Sequence, residues 1–311
     1  MQNAMWATAR MEYPSEDSLM TENTQGLAGE LATGGLPDVA TEIQRHRADA
    51  RRQVSSAEQA LVDARRAEGF WEALLRDLNA NRPAAMLLTL REAGDYLLRL
   101  QRDDRAAAQL VDALKSEVEA KAKDQAAKFG RQFPELVRKQ DFSRQFPIDP
   151  TSRHPRYTFE HSFLQVDVDE RQCIAKITPR DGDEIVIGLD VEQVVKRVGE
   201  ELVRLFLRQP DLGALLRSIY TAYVAVLRAE NRPEGDAVPL RRVSNRLAKN
   251  VNRFAADEFN VDLARLLQDG KTEIEGKRLH VDHTRNARQG MLLHAMEVGG
   301  YVGFISFKHD S

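Results

Sequence analysis

The sequence predicts an α+β protein with a long N-terminal antiparallel helical hairpin (a coiled coil) and a small C-terminal antiparallel sheet packed with amphipathic helices. Two observations lead to this prediction. Between residues 43 and 78, apolar or small residues recur at steps of three and four, the period of paired helices. After residue 157 the period changes to two, which is typical of β-strands.

Changes in composition divide the chain into four predicted segments. Residues 1–37 are rich in Ser, Thr, Glu and Gly and have no periodicity, so we expect a disordered leader. Residues 38–131 form the hairpin, and the proline-marked stretch 132–156 is a linker. Residues 157–311 form the α+β domain.

The first helix of the hairpin carries the heptad seam. One of its two repeating positions is rich in alanine, so a partner helix would approach closely. Arg47 and Glu68 also fall on the seam and would weaken it or set its register. The seam residues are Ala50, Val54, Ala57, Leu61, Ala64, Trp71, Leu75 and Leu78.

A helix breaker follows this seam. Pro83, in the stretch 79–85, marks the end of one helix and the start of the next, which runs to about Gly130. The similar lengths of the two helices favour an antiparallel hairpin. The alternative is a parallel coiled coil between two chains.

The C-terminal half alternates between strands and helices. Residues 157–189 predict a three-stranded antiparallel meander with a turn in "TPRDGD". Two amphipathic helices follow, with Asp190 and Asp211 as their expected N-caps. A strand or hairpin near 269–284, a short helix over about 285–297 and a last strand, "YVGFISF", complete the predicted fold.

The composition excludes several classes of protein. The formal net charge of −3 argues against a generally basic nucleic-acid-binding protein, although a local basic face is compatible with it. The single cysteine, Cys173, excludes an internal disulfide and a cysteine zinc cluster, and favours a reducing cytoplasm. No stretch approaches the ~18 apolar residues that cross a bilayer, so we expect no membrane partner. Arginine strongly outnumbers lysine, which suggests a bacterial source.

Four side chains near the C-terminus raise the question of a metal site: His280, Asp282, His283 and His294. Brought together, they could bind zinc or a non-haem metal in a hydrolase or nuclease. Each also has a simpler explanation, since "RLHVDH" alternates as a strand does and His294 falls on a predicted helix face. A second, weaker pattern is Glu275-x-Lys277, the spacing of some Mg²⁺-dependent nucleases.

A basic stripe is the most physical binding signal. Arg242, Arg246, Lys249 and Arg253 follow the spacing of one helix face, while apolar residues on a neighbouring face would dock the helix onto the domain. Such a stripe could follow the phosphates of DNA. The alternatives are a solvated amphipathic helix or one that faces an acidic protein.

No motif for a nucleotide, a dinucleotide or a serine nucleophile occurs in the sequence, and we expect no cofactor. The function that these observations favour is that of a non-catalytic accessory subunit of a larger bacterial complex. It would bind another protein subunit, or a second copy of itself, through the coiled coil and contact DNA through the basic helix. The alternative is the metal-dependent hydrolase or nuclease.

Overall fold

Helices and two small antiparallel sheets make up the protein, in a computed structural model that describes residues 36–250, 254–286, 288–294 and 301–309. This mixture confirms the α+β class. The chain divides into two compact units, residues 1–69 and 70–311. The described part of the first unit is helical and belongs to α1 (Leu36–Asn79), whose last residues, from Phe70, are part of the second unit.

Three helices stand where the second helix of the hairpin is predicted: α2 (Pro83–Glu92), α3 (Gly94–Asp103) and α4 (Arg105–Arg138). The helix breaks at Asp104, whose side chain accepts a hydrogen bond from the Ala107 amide at 3.0 Å and so starts α4 as its N-cap. This capping aspartate competes with a continuous helix. A single long second helix is therefore wrong, and the predicted coiled-coil hairpin is not confirmed.

The first sheet is an antiparallel meander in the order β1–β2–β3–β4. The predicted meander is confirmed, with one strand more than expected. Its inward residues, such as Val166 and Ile177, pair directly across β2 and β3 and are fully buried. The strands are β1 (Arg156–Phe159), β2 (Leu164–Asp169), β3 (Ile174–Pro179) and β4 (Ile185–Gly188).

One hydrophobic core joins this sheet to the helices that precede it and to the helix that follows it in the sequence. Buried side chains of α2 and α4 pack with those of the sheet and of α5 (Val191–Leu202). After α5 the helix widens into a short π-helical segment, Val203–Leu207. The helices that precede the first sheet in the chain therefore share their core with it.

The second core lies between α6 (Leu212–Ala229), α7 (Leu240–Asn250), α8 (Ala256–Asp269) and the second sheet. Asp211 caps α6 as predicted, accepting a hydrogen bond from the Ala214 amide at 2.8 Å. The sheet has the order β5–β8–β7–β6. Its strands are β5 (Val238–Pro239), β6 (Glu273–Ile274), β7 (Lys277–Thr284) and β8 (Tyr301–His309).

The short helix predicted over 285–297 is wrong for the residues that the structure describes. Residues 288–294 form turns and an isolated bridge between Met291 and Val302, and residues 295–297 lie outside the described chain. The bridge pairs the Met291 amide and carbonyl with Val302 of β8, so these groups are not available to a helix.

Of the described helices, α6 is long and apolar enough to pass a length-and-composition test for a membrane span. The core helix of a globular protein passes the same test. Residues such as Ile219, Ala222 and Tyr223 on α6 are buried in the second core.

The two cores are joined by an ion cluster between the π-helical segment and α8. Arg204 binds Glu201 at 2.7 Å on its own helix and Glu258 at 2.7 Å on α8, and it also pairs with Asp257. Arg208 extends the cluster to Glu258 at 3.2 Å and to Asp262. Burial would lower the pKa of Arg204, but the hydrogen bonds that it donates to these carboxylates outweigh this effect, and the pKa is raised.

Asp190 caps a helix distant in sequence rather than its own. It stands at the start of α5, but its carboxylate accepts hydrogen bonds from the amides of Ala84, at 3.2 Å, and Ala85, at 2.7 Å, in the first turn of α2. Asp190 therefore occupies the predicted N-cap position of α5, but its carboxylate caps α2 instead, because the N-terminus of α2 offers two buried donors. Burial raises the pKa of this carboxyl group, against the lowering effect of the two amides.

Gly188, at the end of β4, lies against the same turn of α2. A Cβ atom at this position would overlap the backbone of Ala84 and Ala85. The backbones of strand and helix are therefore in direct contact here, and Asp190 fixes the helix at the same place.

We expect Gly188→Ala to lower the free energy of unfolding by about 3 kcal/mol, because the contact involves backbone atoms that cannot rotate away. Urea denaturation followed by circular dichroism measures this change. The matched control is Gly94→Ala at the start of α3, where a Cβ atom meets nothing within 4 Å. Equal stability of the two variants would contradict the close approach.

Candidate functional site

The apolar seam of α1 is exposed. Ala50, Ala57 and Ala64 are exposed together with the larger seam residues. Apolar groups of this size are usually removed from water in a folded assembly. The exposed fractions of the larger residues are 58% for Val54, 51% for Leu61, 59% for Leu75 and 54% for Leu78.

Trp71 is the exception within the seam. Its indole nitrogen donates a hydrogen bond to the Tyr96 hydroxyl at 3.1 Å, and its ring meets Phe70 edge to face. Trp71 is therefore partly buried against the first core, while the other seam residues are exposed.

Three residues of the predicted basic stripe, Arg242, Arg246 and Lys249, lie on α7, and their spacing had indicated a helix. Val243 and Leu247 are buried in the second core and dock the helix, while Arg242, Arg246 and Lys249 are exposed. The fourth predicted residue, Arg253, lies outside the described residues. Arg242 forms an ion pair with Glu230, so its charge is partly neutralised.

A groove between α6 and α7 extends this stripe. A cavity of about 910 Å³ is lined by four cationic side chains and by the carboxylates of Glu234 and Glu275. A smaller groove of about 190 Å³ next to it is lined by polar and charged side chains, namely Glu230, Arg242, Asn245, Arg246 and Lys249. Arg246 lines both. The cationic residues of the larger cavity are Arg228, Arg232, Arg246 and Lys277.

The cations of this groove differ in how far they are compensated. Lys277 pairs with Glu234 and contacts the Tyr220 hydroxyl at 3.1 Å, and these two contacts raise its pKa. Arg232 pairs with Asp236 at 3.2 Å. Within the part of the chain that the structure describes, Arg228, Arg246 and Lys249 form no ion pair and are exposed. These three residues are called the free cations below.

Arg228 was missed by the sequence analysis. It lies near the end of α6, eighteen positions before Arg246, and no helix periodicity relates residues of two different helices. Only the packing of α6 against α7 brings Arg228 to the stripe.

The four potential metal ligands are not brought together. His280 and Asp282 are exposed on β7, and a β-bulge separates Asp282 from His283. His294 instead pairs with Glu160 at 2.9 Å and packs against the rings of Phe206 and Phe163. Over residues 36–250, 254–286, 288–294 and 301–309, no three His, Cys, Asp or Glu side chains are grouped to hold a metal ion.

The Glu275-x-Lys277 pattern lies in a tight turn. Glu275 and Gly276 both have positive φ angles, 52° and 72°, and join β6 to β7. An Mg²⁺ site would also need an upstream carboxylate, from Asp262 or Asp269, but Asp262 is buried and bound to Arg208. These residues therefore form a hairpin turn and an ion pair, each with a structural role.

Comparison of the chain with protein-family models, with curated proteins and with solved structures finds no match. The site must therefore be interpreted from its own geometry. Two surfaces have the composition of binding sites: the exposed seam of α1 and the basic groove of α6 and α7.

We expect the double variant His280→Ala/His283→Ala to keep the thermal midpoint of the parent within about 2 °C, because exposed side chains contribute little to stability. Differential scanning calorimetry measures the midpoint. Elemental mass spectrometry of protein purified without chelators is the companion measurement. Stoichiometric zinc, manganese or iron that is lost in the double variant would instead establish a metal site.

Proposed function

We propose that this protein is a non-catalytic, cytoplasmic interaction protein, an accessory subunit of a larger bacterial complex. Helix α1 pairs with a helix of another subunit or of a second copy, as in a coiled coil. The exposure of the heptad seam is the observation that carries this proposal. Antiparallel pairing was expected between the two helices of a hairpin. It stays a prediction, and it now concerns α1 and the helix that packs on its seam.

The energetics favour a partner for α1. An isolated helix in water gains little from backbone hydrogen bonds alone, and most helices in proteins are stabilised by packing of an apolar face. Full burial of one Val or Leu side chain contributes about 1.5–3 kcal/mol. Pairing that covers Val54, Leu61, Leu75 and Leu78, each about half exposed, would therefore contribute several kcal/mol.

Site-specific photocrosslinking in cells that make the protein tests the pairing surface. We expect a photoreactive phenylalanine analogue at Leu61 to give a defined covalent adduct, because this residue lies on the seam. The matched control is the same analogue at Gln59, which is also exposed but lies on the opposite face of the helix. Adding Leu75→Glu should remove most of the Leu61 adduct. Equal adducts at both positions would contradict a helix-pairing seam.

A second binding function rests on the free cations Arg228, Arg246 and Lys249. We propose that the basic groove between α6 and α7 binds the phosphate backbone of DNA. Cations already paired with carboxylates gain little from a phosphate, whereas exposed unpaired cations release counterions from the nucleic acid. Asn245, which lines the same groove, supplies an amide donor for phosphate oxygens.

We expect Arg246→Glu/Lys249→Glu to weaken binding of a 30-base-pair DNA duplex at least tenfold and to reduce the salt slope of binding by about 2, because two phosphate contacts are lost. Fluorescence anisotropy over a salt series measures both quantities. The matched control, Arg217→Glu/Lys271→Glu, makes the same charge change at two exposed positions that do not line the groove. Equal losses in both variants would show that only net charge matters.

A further inference from the structure

We propose that the helix paired with α1 is α1 of a second copy of this chain, antiparallel to the first, with the two-fold axis between Val62 and Asp63. This inference rests on the proposed helix-pairing function and specifies its partner. It follows from the order of residue sizes and charges along one exposed helix.

The seam has two kinds of position, which alternate along α1. One kind carries the large residues Val54, Leu61 and Leu75, and the other carries Ala50, Ala57 and Ala64. In an antiparallel coiled coil, each layer of the core joins one position of each kind. With the axis at residues 62–63, Leu61 meets Ala64 of the second copy and Leu75 meets its Ala50, so that a large side chain faces a small one in these layers. Trp71 lies on the same kind of position as the alanines and meets Val54 of the second copy.

The same arrangement accommodates the two charged residues of the seam. Glu68 meets Ala57 of the second copy, and Arg47 meets its Leu78. A parallel dimer with two-fold symmetry must be in register, which would place Glu68 against Glu68 and Arg47 against Arg47. Like charges facing each other in a core are unfavourable, so these two residues favour the antiparallel arrangement.

Charges beside the seam select one register. One flanking row of α1 reads Arg51, Glu58, Arg65 and Glu72, with alternating sign, and all four side chains are exposed. In an antiparallel pair this row faces itself. With the axis at residues 62–63, Arg51 faces Glu72 and Glu58 faces Arg65, which makes four ion pairs over the whole dimer.

The neighbouring registers lack this match. A shift of one heptad in one direction places Glu58 against Glu58 and Arg51 against Arg65. A shift in the other direction places Arg65 against Arg65 and Glu58 against Glu72. Because each shift turns all pairs of the row into like charges, the row acts as a register lock.

The opposite flank is compatible with close approach. In the proposed register Ala60 faces Ala67 of the second copy, so small side chains line the centre of this flank. Farther out the same row carries Gln53 and Leu74, and Leu74 is already buried in the first core. A pattern complementary to itself under a two-fold axis is what an isologous interface requires. An unrelated partner would have no need of it, and this self-complementarity favours a second copy.

Disulfide trapping of the full chain tests the register. Leu61→Cys protein is mixed with Ala64→Cys protein and oxidised mildly with copper phenanthroline. We expect most of the mixture to become a covalent dimer, since these two positions share a core layer. The native Cys173 serves as an internal negative control, because it is buried and burial raises the pKa of its thiol, which keeps it unreactive.

Two other mixtures identify the competing arrangements. Efficient cross-linking of Leu61→Cys with Ala57→Cys would show a register one heptad away, and cross-linking of Ala64→Cys with itself would show a parallel dimer. Either result would overturn the proposed register. A sedimentation mass of one chain for the parent protein at 100 µM (roughly a hundred times a micromolar Kd) would overturn self-pairing altogether.

A charge swap separates a second copy from an unrelated partner. Glu58→Arg and Arg65→Glu should each weaken self-association about tenfold by sedimentation equilibrium, since each creates two repulsive pairs in the dimer. The double variant Glu58→Arg/Arg65→Glu should restore it, because the exchanged charges face each other across the axis. If the double variant stays impaired, the pairing is not that of two identical helices in this register.

These results distinguish failure of this inference from failure of the proposed function. The mass of the face-specific adduct at Leu61 identifies the partner. If the added mass is not that of a second chain, the helix-pairing function stands and self-pairing is overturned. Loss of face specificity would overturn both.

Discussion

The ion cluster around Arg204 is the constraint on which the C-terminal part of the structure depends. It connects the π-helical segment, which contributes to the first core, to α8, a helix of the second core. The Asp257 carboxylate in this cluster is buried, so replacing Arg204 would leave it without its cation. Arg265 strengthens the same junction, since it donates to the Arg208 carbonyl at 2.8 Å and to that of Phe206. Helix α8 packs in the second core together with α6 and α7, the two helices that form the basic groove.

The distribution of charge distinguishes structural from functional arginines. Arg204 and Arg208 face two or three carboxylates each, and their charge is used within the fold. Arg228 and Arg246 lie at an exposed groove without a carboxylate partner among the described residues. An arginine that is already paired must give up its ion pair within the fold to bind an external anion. An unpaired arginine binds the anion without losing such a contact. The groove is therefore suited to a ligand in a way that the larger ion cluster is not.

Local sequence patterns predicted the helices and strands better than they predicted the contacts between distant segments. The meander and its turn, the capped helix after Asp211 and the docking face of α7 all follow from periodicity and turn chemistry. Asp190 shows where such reasoning ends, because its sequence position marks one helix start while its carboxylate caps another that is brought to it by folding. Arg228 and the pairing of His294 with Glu160 likewise depend on contacts between distant segments, which a single sequence does not encode locally.

The contact at Gly188 has a consequence for how this fold tolerates change. Because backbone meets backbone between β4 and α2, the spacing of sheet and helix at this point is independent of the surrounding side chains. Core residues nearby can exchange volume with one another while the frame stays fixed. Chains with the same backbone geometry could therefore differ widely in sequence and still superpose. We would expect them to share a glycine at this position.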